Sequence, residues 1–393
     1  MVASFIVYPP VDTAKGGVVS AHGITIAATG GGRNVPALGL KSGMAQQQKR
    51  AGAARPPRCD IALLVDAEAV DRRKNGLYVP DRSSVEAYLL AELRRQGLVV
   101  TALPFVAGVE ATIAELRALK PRLVFNLTEC VDGDRSMDAS IAGLLELLKI
   151  PYTGSGPGGL RLARDKALSK HIAADLGVAV PRYFVIPPQG PIRNPRVPYP
   201  LIIKPQFGDG SDEVRVNSLV KNERELLQRV RMLRKRVHAP LICEEFIEGR
   251  DLYVALLGNK PDVMPAVELF IGRRGPGAPT FASYKLKNDG AYRSRWRIRW
   301  RVAKISGNLR RDIETASSAI FHALEQRDYG RIDYRLTPDG RLVFLEANAN
   351  PDLHPHAMGN NQCFAGVAWG DALRRIVNEA LSRARSKKYN KNK

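Results

Sequence analysis

The chain has 393 residues, 45% hydrophobic and 25% charged, the balance of a soluble globular protein with room for roughly two or three domains. It has no run of about eighteen apolar residues, so no membrane span is predicted, and Cys59, Cys130, Cys243 and Cys363 are too scattered for a metal cluster or a disulfide framework, so a reducing, cytoplasmic setting is expected. The net charge of +21 permits phosphates, acidic substrates, nucleic acid or an anionic membrane surface as partners.

Residues 1–57 are rich in Gly, Ala and Gln, carry no acidic residue between Asp12 and Asp60, and show no lasting period. They read as a largely disordered segment, a targeting segment or a wrongly assigned start. Folded structure is predicted to begin with a strand at Cys59–Val65. A helix follows with Val85, Tyr88, Leu89 and Leu93 on one face and Gly97 past its end. Then come a strand at Leu98–Leu103, a helix at Glu110–Leu119, a strand at Leu123–Leu127 and a helix lined by Met137, Ile141, Leu144, Leu145 and Leu148. This alternation predicts an α/β unit with a parallel sheet covered on both faces. A Gly/Pro turn region at 150–158 leads into a helix containing Asp165-Lys166, and from about Pro200 longer strands and turns predict an α+β layout.

Four segments of this second part carry candidate chemistry. Pro200-Leu201-Ile202-Ile203-Lys204-Pro205 is an apolar strand with a lysine near its end, running into Gln206-Phe207-Gly208-Asp209-Gly210-Ser211. Glycines let backbone N–H groups turn towards an anion, Ser211 adds a hydroxyl, and Lys204 can neutralise a phosphate, although a flexible hairpin with a surface lysine has the same composition. Leu241–Asp251 reads as a strand leaving its sheet through an acidic connector. It offers backbone groups and a carboxylate to a purine and its ribose, or is an ordinary surface turn. After Tyr284-Lys285-Leu286-Lys287, the alternation of Arg293, Arg295, Arg297, Arg299 and Arg301 with Ser294, Trp296, Ile298, Trp300 and Val302 predicts one strand with an arginine face. That face suits an acidic substrate, phosphates or nucleic acid, or is simply solvated. In Gly330–Pro351, two strands flank a Pro-Asp-Gly turn, with Asp333 on the first strand and Glu346 and Asn348 on one face of the second. Two carboxylates and an amide oxygen converging in this way suit Mg²⁺, which takes its remaining ligands from water and substrate phosphates.

In this order the segments resemble the ATP-grasp superfamily and, within it, the D-alanine–D-alanine ligase family, over about residues 59–380. The resemblance rests on Pro151-Tyr152-Thr153-Gly154-Ser155, Asp165-Lys166, Leu201-Ile202-Ile203-Lys204-Pro205, Glu244-Glu245-Phe246-Ile247-Glu248-Gly249 and the Gly330–Pro351 hairpin. It implies an ATP-grasp fold preceded by a parallel-sheet domain, divided as 58–155, a central lid subdomain at 156–240, a C-terminal subdomain at 241–383 and a basic tail at 384–393. It implies that Lys166 and Lys204 contact ATP phosphates, and that Gly210 and Ser211 belong to a mobile phosphate lid. Glu244 and the Phe246–Ile247 backbone would meet adenine, and Asp251 the ribose. Lys287 would reach the γ-phosphate. Asp333, Glu346 and Asn348 would hold two Mg²⁺ ions, replaceable by Mn²⁺, and Arg331 would stabilise the acyl-phosphate and tetrahedral stages. The implied protein is a homodimeric ligase that phosphorylates a small-molecule carboxylate with ATP and passes the acyl group to an amine.

The chain departs from the family where D-alanine is bound. Leu64-Val65-Asp66-Ala67-Glu68-Ala69 replaces a Gly-Gly-x-Ser-x-Glu loop, Leu127-Thr128-Glu129-Cys130 replaces a His-Gly pair, and Pro351-Asp352-Leu353-His354-Pro355-His356 replaces a Gly-Met and serine-containing loop. A different substrate pair is therefore expected, with an acidic or larger carboxylate suggested by the arginines of 293–301. Glu68 and Glu129 read either as grips for a substrate amine or as surface carboxylates, and His354 and His356 as loop polar groups or ligands. The reading from another class is a nucleic-acid-associated or regulatory nucleotide-binding protein that uses its basic surface without ligase activity.

Overall fold

A computed structural model describes residues 59–74, 77–105, 109–208, 215–356 and 364–391, all within one compact unit that begins at Arg55. The segment expected to be disordered or targeting, 1–57, lies outside the described residues.

The first layer holds β1 (Ile61–Asp66), a separate hairpin of β2 (Val70–Lys74) and β3 (Leu77–Pro80), α1 (Val85–Arg95), β4 (Val100–Phe105), α2 (Val109–Leu119), β5 (Leu123–Asn126) and α3 (Asp138–Leu147). Its three parallel strands run in the order β4-β1-β5. β1 is apolar from Ile61 to Val65 and buried throughout, as a parallel strand covered on both faces must be. Period two sorts its side chains: Ala62 and Leu64 join a core with Ile141 and Leu145 of α3, while Ile61, Leu63 and Val65 join one with Leu89 and Leu93 of α1. α1 starts at Ser84, whose hydroxyl accepts from the Ala87 N–H, and ends before Gly97 at φ 84°.

The second layer holds α4 (Pro157–Arg164), α5 (Lys166–Asp175), β6 (Tyr183–Ile186), β7 (Leu201–Pro205), β8 (Leu219–Val220), α6 (Glu223–Arg234) and β9 (Leu241–Glu245). The strands form an antiparallel sheet, β6-β9-β7-β8. Leu226, Val230 and Leu233 from one stripe of α6 cover Leu201 and Ile203 on it.

The third part contains β10 (Arg250–Leu257), β11 (Asp262–Val263), β12 (Val267–Ile271), α7 (Tyr284–Asn288), α8 (Gly290–Trp296), β13 (Ile298–Val302), α9 (Gly307–Ala323), β14 (Tyr329–Leu336), β15 (Leu342–Asn348) and α10 (Trp369–Lys391). Its main sheet is antiparallel in the order β13-β12-β10-β14-β15, with β11 paired to β10. β10 enters from Gly249 at φ 148°, where a Cβ would stand 2.2 Å from the Leu336 carbonyl oxygen, so the connector needs glycine there. Ala372, Leu373 and Ile376 of α10 return to the first sheet and share the core of α1.

One expectation is corrected. The arginines at 293–301 do not share one strand: Arg293 and Arg295 lie on α8, Arg297 is left-handed at φ 51°, and only Arg299 and Arg301 lie on β13. The cause is local capping. Asp289 accepts from the Tyr292 N–H and starts α8, whose Trp296 is then buried with Leu286 and Ile298. Arg301 is not free on a solvated face either, because it pairs with Glu268 at 2.6 Å and lies over Phe270. Residues from 384 to Lys391, within the expected basic tail, are the last turns of α10.

Candidate active site

The site forms where α5, β7, β9 and the β14–β15 hairpin meet. Asp165 caps α5 by accepting from the Ala167 and Leu168 N–H groups at 3.0 and 3.1 Å, and also accepts from Gln206 Nε2 at 2.8 Å. The Lys166 N–H donates to the Gln206 carbonyl, and its ammonium donates to the Gly208 carbonyl. The start of α5 is thereby tied to the chain running out of β7. Gly210 and Ser211, the expected lid residues, lie outside the described residues.

One turn along α5, Lys170 is wholly buried, donates to the Leu345 carbonyl, and lies 2.8 Å from Glu244 Oε1. That contact is an ion pair rather than an aligned hydrogen bond. The other oxygen of Glu244 is 3.1 Å from Lys204 Nζ, which is 3.7 Å from Glu346 Oε2. A chain of alternating charge thus runs Lys170–Glu244–Lys204–Glu346 across four elements. Lys170 has no place in the sequence reading; its signal was the four-residue spacing from Lys166, which puts both lysines on one helical face.

Across the hairpin, Glu346 pairs directly with Asp333, and Asn348 with Arg331. Arg331 grips Asp333 with both arms at 2.7 and 3.0 Å, and the Asn348 amide lies 3.4 Å from the same carboxylate. The hairpin end is held in turn. Ser155 N–H donates to Asn350 Oδ1 at 2.9 Å, and a Cβ on Gly154 would stand 2.6 Å from that oxygen. Asp333, Glu346 and Asn348 are therefore brought together on rigid strands. Their oxygens are hard donors of the kind Mg²⁺ takes. Among the described residues no group of three His, Cys, Asp or Glu forms a metal cluster, so a metal here relies on the asparagine.

Electrostatics explains how so many charges share this space. Burial alone would raise Glu346, but Lys204, Lys166, Lys287 and Lys170 outweigh it and hold the carboxyl far below its ordinary range. Burial likewise opposes charge on Lys204, yet Glu244 and Glu346 outweigh it and keep the amine above the ordinary lysine range. Lys170 is lowered by burial to about 8, and burial also lowers Lys287. Lys166, Lys170, Lys204 and Lys287 together with Arg331 and Arg335 outnumber the carboxylates Glu244, Asp251, Asp333 and Glu346. The surplus positive charge suits a polyphosphate, which would arrive together with a divalent cation.

The adenine and ribose candidates lie on β9, β10 and the connector between them. Glu244 is 1% exposed and engaged by two lysines. The Phe246 N–H donates to the Pro200 carbonyl at 2.9 Å, so that amide serves the sheet rather than a base, while the Phe246 ring stacks edge-on with Phe281. Ile247, next to it, is half-buried. Asp251, raised by burial, is held 3.1 Å from Arg335.

Two cavities meet here. The smaller, about 110 Å³, is lined by Lys166, Lys204, Asp251, Lys287, Asp333 and Glu346. Ligand pockets usually hold about 300–1,000 Å³, so this one takes part of a ligand only. The larger, about 470 Å³, is lined by Glu129, Arg164, Arg293, Trp300, Arg331 and Asn350 among others. Tyr253, Ala282 and Lys287 form the wall between them. Glu129 faces the larger cavity and lies 3.6 Å from Arg135, whereas Glu68 is exposed outside it. His356 also faces it; His354 instead contacts the Ser83 carbonyl at 3.1 Å and the Tyr88 ring.

The D-ala D-ala ligase C-terminus family matches residues 172–378. The D-alanine–D-alanine ligase of Aquifex aeolicus is 30% identical over 240 residues, which is 61% of this chain and 75% of that protein. The protein y4sG of Sinorhizobium fredii is 31% identical over 260 residues, 66% of this chain and 73% of its own. Among solved structures, the Bacillus anthracis D-alanine–D-alanine ligase complexed with ATP superposes with a TM-score of 0.64 at 18% identity, covering 84% of this chain and 99% of that one. The VanG D-Ala:D-Ser ligase of Enterococcus faecalis gives 0.58 at 18% identity, covering 82% and 100%. At these identities the structural matches establish the shared fold.

Proposed function

The chain belongs to the D-alanine–D-alanine ligase family of ATP-grasp enzymes, which use ATP and Mg²⁺ to form a C–N bond, and from that premise we propose that it joins a carboxylate to an amine through an acyl phosphate, with a substrate pair other than two D-alanines. The observation that carries the reading is the hairpin, where Asp333, Glu346, Asn348 and Arg331 converge beside Lys204.

In this reading Lys166 and Lys204 hold the ATP phosphates, with Gly210 and Ser211 closing over them. Asp251 takes the ribose, and Glu244 with the Phe246–Ile247 segment borders the adenine. Asp333, Glu346 and Asn348 would hold the Mg²⁺, two ions or Mn²⁺ in their place. The metal supplies charge neutralisation and orientation of the γ-phosphate. Lys287, on the wall between the cavities, meets the γ-phosphate as a substrate carboxylate oxygen attacks its phosphorus and ADP leaves. The amine of the second substrate then attacks the acyl carbon, and inorganic phosphate departs with release of a proton. Arg331 steadies the oxyanion of that step. Residues 58–155, 156–240 and 241–383 would act as three subdomains, and the protein would work as a homodimer.

The reading of a changed substrate draws support from the first sheet. Asp66, in place of the family's glycine-rich loop, accepts from the Glu129 and Cys130 N–H groups at 3.0 and 3.2 Å and locks that edge of the larger cavity. The arginine run read as one strand face is divided between a helix and a strand, and Arg301 of it is paired with Glu268.

The test is ADP release from MgATP across a panel of paired amino acids and small carboxylates. At least one pair is expected to release ADP in step with amide formation, two D-alanines being poor. ATP binding without turnover on any pair would contradict ligase activity.

A further inference from the structure

Resting on that ligase reading, we propose that one substrate is a dicarboxylic amino acid whose side-chain carboxylate is bound by Arg293. The larger cavity, about 470 Å³, is within the range of pockets that take whole drug-sized ligands, more room than alanine needs. Most of its charges are already answered. Arg135 lies 3.6 Å from Glu129, Arg164 pairs with Asp138, and Arg331 grips Asp333. Lys287 lies among the charges of the smaller cavity, Glu346 foremost.

Arg293 differs. Its Nη1 donates to the main-chain carbonyls of Lys287 and Leu286, which fix the guanidinium without supplying a counter-charge. Among the described residues no carboxylate forms an ion pair with it. A guanidinium fixed in this way presents its remaining donors as a fork, the geometry that takes a carboxylate by two parallel hydrogen bonds. Its place suits a substrate group rather than a structural one. The carbonyl it rests on belongs to Lys287, on the wall between the cavities. An anion at Arg293 therefore lies on the substrate side of the γ-phosphate position, beside Trp300, which can cover the intervening methylenes. Arg293 also borders an open groove with Arg297 and Arg299, whose positive field draws an acidic substrate towards the cavity.

The experiment compares glutamate with glutamine and aspartate with asparagine, both enantiomers, as varied substrates in the ADP-release assay. The acid is expected to exceed its isosteric amide in kcat/KM by at least about tenfold, a charge-assisted pair being worth that much. Arg293→Gln should remove the preference, and Arg293→Lys should keep part of it. Binding is read separately, as the rise in melting midpoint of the protein loaded with Mg²⁺ and a non-hydrolysable ATP analogue. Glutamate should raise the midpoint more than glutamine, and Arg293→Gln should equalise them. Equal response to acid and amide in the unaltered protein overturns the inference. So does an Arg293→Gln defect that appears only as a raised KM for ATP, since that would assign the residue to the nucleotide. No ADP release anywhere, with the glutamate-specific midpoint shift intact, counts against the ligase reading alone.

Discussion

Four lysines crowd around Glu346 and keep it ionised in a buried setting, so the residue is ready to take a cation without first losing a proton. Glu346→Gln keeps the shape and removes the charge; ADP release should fall at least about a hundredfold, as when a group acting in the transition state is lost. Turnover near the unaltered rate would remove Glu346 from the metal site. Lys170 makes a different prediction. Replacing it with Met leaves Glu244 with Lys204 alone, which should cost about 3 kcal/mol of stability, the lower end for one partner of a buried pair. The urea midpoint reads this loss. Lysine ordinarily titrates near 10.5, and burial lowers Lys170 to about 8. Between those pH values the unfolded chain holds a proton that the folded chain has released, so this residue's contribution to stability rises with pH there. In Lys170→Met that rise should be absent from the pH profile of unfolding.

At the scale of elements, the β14–β15 hairpin is legible because two independent signals agree: a Pro-Asp-Gly turn between the strands, and polar residues two apart on one face. The α7–α8 corner is not. Its alternation of arginine and apolar residues satisfies a strand, and the features that decide otherwise are short-range: Ser283 and Asp289 each cap a helix, and Arg297 turns left-handed. A cap outweighs the alternation at Arg293–Trp296 because it satisfies backbone donors a strand would have to pair elsewhere. Asp289→Ala should therefore cost about 1 kcal/mol in denaturant unfolding, and it should weaken the discrimination between glutamate and glutamine because α8 carries Arg293. Unchanged stability would mean that packing of Trp296, not the cap, holds the corner.

On the scale of the whole molecule, the site belongs to no single layer. Lys170 and Lys166 come from α5, Lys204 and Glu244 from the central sheet, and the metal candidates from the third sheet. The strands of the first sheet could be read from their own periodicity, but the Lys170–Glu244–Lys204 contact joins residues about forty to seventy positions apart in a chain whose spacing does not encode it. Filling such a junction should tie the layers together. MgATP at about a hundred times its Kd should stabilise the protein by about 2.7 kcal/mol, and chelating the metal should remove most of that gain; a melting midpoint indifferent to Mg²⁺ would contradict a metal-bridged site. The most direct test of the account uses the carboxylate substrate found in the ADP-release screen, labelled with ¹⁸O in the reacting carboxyl group. Transfer through an acyl phosphate predicts ADP as the nucleotide product and one ¹⁸O atom in the inorganic phosphate. Release of AMP, or phosphate free of the label, would contradict it.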